Sequence, residues 1–417
     1  MISKFPVLEK YLNYFLLFIF PTQLALHFWP DFAFIYGVRV DYLSPTIYLT
    51  DIVFVSLFLN WFIGNSKAVF KDIYKNRMSL LLLVLFMLLN ISLSSVFTIA
   101  LIKWLRIIEI ICLAYYVEKR RDVFSKTVVS RILFFSLVIF CLIGLAQFVV
   151  GKTSGGLFYW LGERSFSVYT PGISLANILG RNYLRIYSTF PHPNSFAGFV
   201  GIATIYIFTN PPRINKRLLV LGLSIILVSF LLSFSLGGII TAMICTLSWI
   251  LFERKIIDRK ILRYFMIFVL AMSLCLLFCS EPLMVSGINL SRSFRERLEF
   301  NVVAGKMIQS NFLMGVGLNN FFVNETQYLY GIGSTWLLQP VHNVFLLVFS
   351  ETGILGLLFL YMLLARYINK TSGTKNIYPF LLVIFVLTSS IFDHYWFTIY
   401  QNLIVLSFLT GLSIREK

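Results

Sequence analysis

The chain has 417 residues, of which 58% are hydrophobic and only 13% charged. Soluble domains carry about a quarter charged residues, and no soluble fold of this length can hide so much apolar side chain. Disordered, collagen-like and coiled-coil chains are excluded by the same figures, which leaves a multi-pass helical membrane protein. The net charge of +17 would point a soluble protein toward nucleic acid. In a membrane protein it points first to basic cytoplasmic loops, and no nucleic-acid partner is needed.

Apolar runs of about 17–25 residues predict membrane-spanning helices. Twelve are expected, near 11–29, 46–64, 78–97, 98–117, 128–150, 194–209, 217–233, 235–252, 261–280, 342–365, 377–392 and 395–412. The first run follows MISKFPVLEK, lacks a small-residue cleavage site, and reads as a retained helix rather than a removed signal peptide. With a cytoplasmic N-terminus, 24 of the 35 basic residues fall in inner segments, nine fall outside, and Lys103 and Arg106 lie within a span. Every short inner loop is basic, so the expectation is an all-α protein of about twelve spans with both termini cytoplasmic. Residues 1–417 form one integral membrane domain, with long outer loops at 151–193 and 281–341. In the first loop, LFYWLG and SLANILG are expected as short interfacial helices. In the second, SRSFRERLEFNVVAGKMIQS alternates charge, turns amphipathic, and predicts a helix outside or on the membrane.

Polar chemistry collects on the outer side. His27 ends the first span, His192 precedes the sixth, His342 opens the tenth, and His394 sits beside Asp393 between the last two. Lys103, Arg106 and Glu109 are spaced three apart on one face of the fourth span. They read either as a cation–carboxylate pair that docks helices or as the wall of a basic cavity. The even-numbered spans present their N-termini outward, where free N–H groups favour anions. Basic side chains and helix N-termini at one depth predict an outward-facing site for phosphate or diphosphate. The five Cys lie within apolar runs and make neither a CxxC pair nor a Cys/His cluster, so no zinc site or disulfide framework is expected.

RIYSTFPHPNSFAGF (185–199), NFLMGVGLNNFF (311–322) and PVHNVFLLVFSETGILGLLFLY (340–361) occur in that order, followed by DHYWFTIYQNLIVLSFLTGL (393–412). This series resembles the bacterial O-antigen ligase/polymerase superfamily over about 185–412. The HN…E-x-G-x-x-G pattern comprises His342, Asn343, Glu351, Gly353 and Gly356.

The resemblance implies a GT-C-like membrane glycosyltransferase in the bacterial cytoplasmic membrane, with its active site facing outward. It implies an undecaprenyl-diphosphate-linked oligosaccharide as donor, and a glycan, lipid A core or other hydroxyl as acceptor. By that likeness Arg185 and Arg297, with Arg295 as the competing alignment, engage the diphosphate, and His342 activates the acceptor hydroxyl. Lys103, Arg106 and His192 are further diphosphate-binding candidates; Asn343, Glu351, Asp393 and His394 are supporting ones. Many members carry S-x-S-R-G where this chain reads SFSLGG, with Leu236 at the Arg position. Lys103 and Arg106 are the candidates to compensate. No cofactor is expected; the outer loops hold no Asp-x-Asp pair, which predicts metal independence, and a single displacement at the anomeric carbon predicts inversion. A transporter or flippase for lipid-linked glycans is the alternative, but its hallmark of mirrored halves is missing from this sequence.

Overall fold

The computed structural model describes residues 6–120, 122–258, 260–285, 292–328, 338–371 and 376–414. Lys4, Arg121, Arg259, Lys375, Arg415 and Lys417, counted above among the inner charges, lie outside them. The protein is mostly helical. In chain order the first half holds α1 (Pro6–Phe18), α2 (Leu49–Lys75), α3 (Arg77–Ser92), α4 (Phe97–Lys119) and α5 (Lys126–Val150). Then come α6 (Pro193–Thr209), α7 (Lys216–Leu232), α8 (Leu236–Glu253) and α9 (Ile261–Val285). The remainder holds α10 (Arg292–Ser310), α11 (Phe321–Tyr328), α12 (Val344–Thr371), α13 (Tyr378–Phe392), α14 (Tyr395–Thr398) and α15 (Tyr400–Ser413).

Among the described residues, α2, α5, α8, most of α9 and α12 are long and apolar enough to cross a membrane by length and composition. α3 and α13 are shorter apolar helices. The segments expected to span near 194–209, 217–233 and 395–412 are helical but fall short of that length. The last is broken at Ile399, whose extended backbone separates α14 from α15.

Three departures from the sequence expectation lie in the outer segments. The helix expected at 11–29 ends at Phe18, ahead of Pro21, which has no N–H with which to continue it. His27 is therefore not at a helix end. It lies in β1 (Ala25–His27), paired with β4 (Thr46–Tyr48), and its Nδ1 meets Thr46 Oγ1 at 3.0 Å. Between them β2 (Phe34–Ile35) and β3 (Val38–Arg39) form a small hairpin. SLANILG is not a helix either: β5 (Leu175–Ile178) and β6 (Arg181–Leu184) pair antiparallel. Leu179 and Gly180 both take positive φ at the tip, the geometry that matches strand twist in a two-residue turn. The LFYWLG segment does form a 3-10 turn, Gly156–Leu161.

The rest of the first long loop is pinned to α5. Gln147 donates to Glu163 Oε1 (2.7 Å) and to Ser188 O (2.8 Å), and accepts from Ser188 N (2.8 Å). Thr189 Oγ1 donates to Pro21 O at 2.6 Å. These bonds fix the strand end that carries Arg185 and the turn that carries His192.

The second loop is locked to α12 by its glycines. Val316 N donates to Ser350 O (3.0 Å), Gly317 N to Glu351 O (2.9 Å), and Ile354 N to Phe312 O (2.8 Å). Gly353 breaks the helical path inside α12 with φ 65°, and a Cβ there would overlap Leu313 O. Gly315, at φ 66°, lies as tightly against Glu351. Asn90 completes the lock. Its Nδ2 donates to Met314 O and Glu351 O, and its Oδ1 accepts from Trp104 Nε1 and Leu318 N. Gly353→Ala, strained in φ and overpacked, is expected to cost about 2–4 kcal/mol. Thermal unfolding of the detergent-purified protein should show a lowered Tm; an unchanged Tm would contradict this account of the lock.

Candidate active site

The site forms where helix ends from four parts of the chain meet. His192 is the N-cap of α6: its Nδ1 accepts from Asn194 N at 3.1 Å, and its Nε2 lies 3.0 Å from Ser174 Oγ. Asp393 is the C-cap of α13, and His394 follows it. His342 lies two residues before α12. The cap of α12 is Asn343, whose Oδ1 accepts from Phe345 N (2.9 Å) and Leu346 N (3.1 Å) and whose Nδ2 donates to Ser273 Oγ. His342 is thus spared the capping role. Its ring stands 5.2 Å from that of His394, edge to face, and its Nδ1 is buried with no hydrogen-bond partner.

Asp393 is the hub. Its Oδ2 accepts from Asn194 Nδ2 and its Oδ1 from His394 N. Asn194 Oδ1 accepts from Arg185 Nη2 at 2.8 Å, while Arg185 Nε donates to Ser233 O at 2.7 Å. Arg297, on α10, donates to Phe392 O at 2.8 Å, one residue from Asp393.

Burial and charge set the protonation states. Burial lowers the His342 pKa to about 3 and that of His192 to about 4, outweighing the opposing pull of Asp393. His394 is lowered in the same way. Burial alone would raise the Asp393 carboxyl, but His394, His342, His192 and Arg297 hold it well below the usual carboxylate range. At neutral pH the imidazoles are uncharged, so Arg297 and Arg185 are the standing cations beside an ionised Asp393.

A cavity of about 1040 Å³ opens against one side of this cluster, and His192, His342, Asp393 and His394 all line it. Tyr42, Tyr48 and Tyr187 contribute aromatic wall. Arg185 and Arg297 are not in its lining. The imidazoles therefore face the cavity, and the guanidiniums flank Asp393 from other directions.

The remaining candidates separate by their partners. Arg295 is exposed, and its charge acts on Glu299; Arg297 is the arginine of α10 that joins the cluster. Arg106 lines the cavity but is engaged: it pairs with Asp51 (2.8 Å) and Glu109, donates to Thr46 O (2.7 Å), and lies over the Tyr400 ring. Lys103 is buried and donates to Phe397 O at 2.8 Å. Neither bonds to the SFSLGG turn, so neither replaces the basic group absent at Leu236. Leu236 itself is exposed at the start of α8, and it is Arg185 that binds this turn, through Ser233 O. Glu351 is buried on α12, its carbonyl accepting from Asn90 Nδ2 (3.1 Å) and Gly317 N (2.9 Å). Among the described residues no group of three or more His, Cys, Asp or Glu could hold a metal ion.

Asn194 belongs to the HPN motif, but nothing in the sequence marks it as a link between Arg185 and Asp393. Residues 23–48 supply much of the cavity wall. Their signal in the sequence is a stretch that carries Tyr36, Tyr42, Tyr48, Asp31, Asp41 and Arg39.

A multi-pass helical membrane protein with a cluster of His, Asp and Arg at a cavity defines the class. Residues 194–361 match the family model described as O-antigen ligase. This supports its place in the O-antigen ligase/polymerase superfamily and a glycan-transferring activity at a membrane. No curated protein matches the chain.

Two outcomes follow from this geometry. Arg297→Ala should reduce glycan transfer at least about tenfold, and Arg295→Ala should leave it within about twofold; equal losses in a membrane transfer assay would reverse the assignment. Because the imidazoles are neutral down to low pH, transfer at pH 5.5 should stay within about twofold of that at pH 7.5. A fall centred near pH 6.5 would contradict the burial argument.

Proposed function

We propose that the protein transfers a glycan from a polyprenyl diphosphate, such as undecaprenyl diphosphate, to a sugar hydroxyl at the outer face of the bacterial cytoplasmic membrane. The topology proposed with it has twelve crossings and both termini inside. The observation that carries the reading is the convergence of Arg185, Arg297 and His342 on one buried carboxylate at the wall of a large cavity.

The chemistry is a single displacement. The acceptor hydroxyl oxygen attacks the anomeric carbon and forms the new glycosidic bond. The bond from that carbon to the diphosphate oxygen breaks, and the polyprenyl diphosphate leaves with the electron pair. His342, neutral and at the cavity wall, takes the hydroxyl proton. Arg185 and Arg297, always charged and forked, neutralise the departing diphosphate; each is worth a few kcal/mol on the scale of a lost oxyanion donor, about 3 kcal/mol. One displacement inverts the anomeric configuration, and no metal is required in this scheme.

His342→Ala should abolish transfer while leaving membrane insertion intact; retained transfer would sink the base assignment. Arg185→Lys should lower transfer by about tenfold or more, because the ammonium cannot hold both Ser233 O and Asn194 Oδ1 in the guanidinium geometry. EDTA should leave the rate unchanged, whereas inhibition reversed by Mg²⁺ or Mn²⁺ would overturn the metal-free scheme. Glycan analysis of a deletion strain separates the two family activities. Single repeats left on the lipid carrier mark a lost polymerase, and long unattached chains mark a lost ligase.

A further inference from the structure

We propose that Asn194 is a positioning residue that ties the diphosphate-binding arm of the site to its proton-accepting arm. The inference rests on the proposed function and deepens it. Three bonds carry it. Asn194 Oδ1 accepts from Arg185 Nη2 (2.8 Å), its Nδ2 donates to Asp393 Oδ2 (2.8 Å), and its backbone N donates to His192 Nδ1 (3.1 Å).

The orientation of the amide is fixed by its neighbours. Only the oxygen can face a guanidinium, and only the nitrogen can face a carboxylate. An amide does here what neither charged residue can do. A carboxylate at 194 would repel Asp393, and a cation would repel Arg185. The helix start sets the distance: Asn194 follows Pro193, at the first position of α6, and the His192 cap holds that turn.

The consequence for Asp393 is a fixed rotamer. Its Oδ2 is held toward Asn194 and its Oδ1 toward His394 N, so neither oxygen closes on an imidazole; His394 Nε2 stays 3.8 Å from Oδ1. The groups that face this imidazole pair are Asp393 itself, Arg297 from α10, His192 from α6, Lys103 from α4 and Tyr42 from the outer segment. Asp393 is the one carboxylate among them. Releasing it from Asn194 lets it pair with an imidazole and favours the protonated, non-basic form.

The test uses the full chain in detergent or liposomes. The donor is lipid-linked glycan extracted from membranes of a strain deleted for this gene. Asn194→Ala is expected to raise the donor half-saturation concentration about tenfold, with kcat at pH 7.5 lowered less than about threefold. Its transfer rate should fall about fivefold between pH 7.5 and 5.5, where the wild type is flat. Asn194→Asp keeps an acceptor for Arg185 but loses the donor to Asp393. It should keep the donor half-saturation near that of the wild type and still show the acid fall. Should Asn194→Ala fail to fold, Asn194→Ser is held to the same two criteria. Unchanged half-saturation and an unchanged pH profile would overturn the proposal. So would a drop in kcat with neither of them moved, which is the mark of a merely structural residue. Absence of transfer by the wild type would instead remove the proposed function itself.

Discussion

A carboxylate stripped of water is costly unless hydrogen bonds and opposite charge replace the hydration shell, and Asp393 is such a carboxylate. It sits where α13 ends, so the chain must supply donors from elsewhere. Asn194 comes from α6, His394 N from the turn itself, and the compensating charges from Arg185 beyond β6 and Arg297 on α10. Four distant parts of the sequence are held together by the need to satisfy one charge. The histidines gather round the same point but contribute little charge of their own, since burial keeps them neutral. The outcome is an arrangement with permanent cations on some sides, basic imidazoles facing a cavity, and an anion between them that none of the imidazoles captures.

The glycine motifs serve a different purpose from the arginines and histidines near them. Gly315, Gly317 and Gly353 adopt positive φ where two backbones exchange hydrogen bonds, and side chains at Gly315 and Gly353 would collide with the partner strand. They hold residues 312–317 against α12. The same region packs α10, with its Arg297, against α12. Asn343, in the motif beside His342, is likewise a helix cap. Motif residues therefore divide into those that build the site and those that act in it, and only partners reveal the division.

The charges on α4 show the same point. Lys103 and Arg106 are three residues apart on one helix face and look alike in sequence. Arg106 has found Asp51 from α2 and Glu109 from its own helix, so it docks α4 against α2. Lys103 meets a carbonyl of α14. The Asp51 contact spans 55 positions of chain and leaves no periodic trace.

Apolar content and run lengths determined that this is a multi-pass helical membrane protein, because the bilayer tolerates little else. The amphipathic segment that became α10 and the break between α3 and α4 were also legible, since each has a local pattern. The tertiary structure alone decided which arginine of α10 faces the site, which residue caps α12, that SLANILG pairs as a hairpin, and that Asn194 joins Arg185 to Asp393. Those outcomes depend on which distant group satisfies a buried donor or charge. That choice is made by packing, after local propensity has had its say.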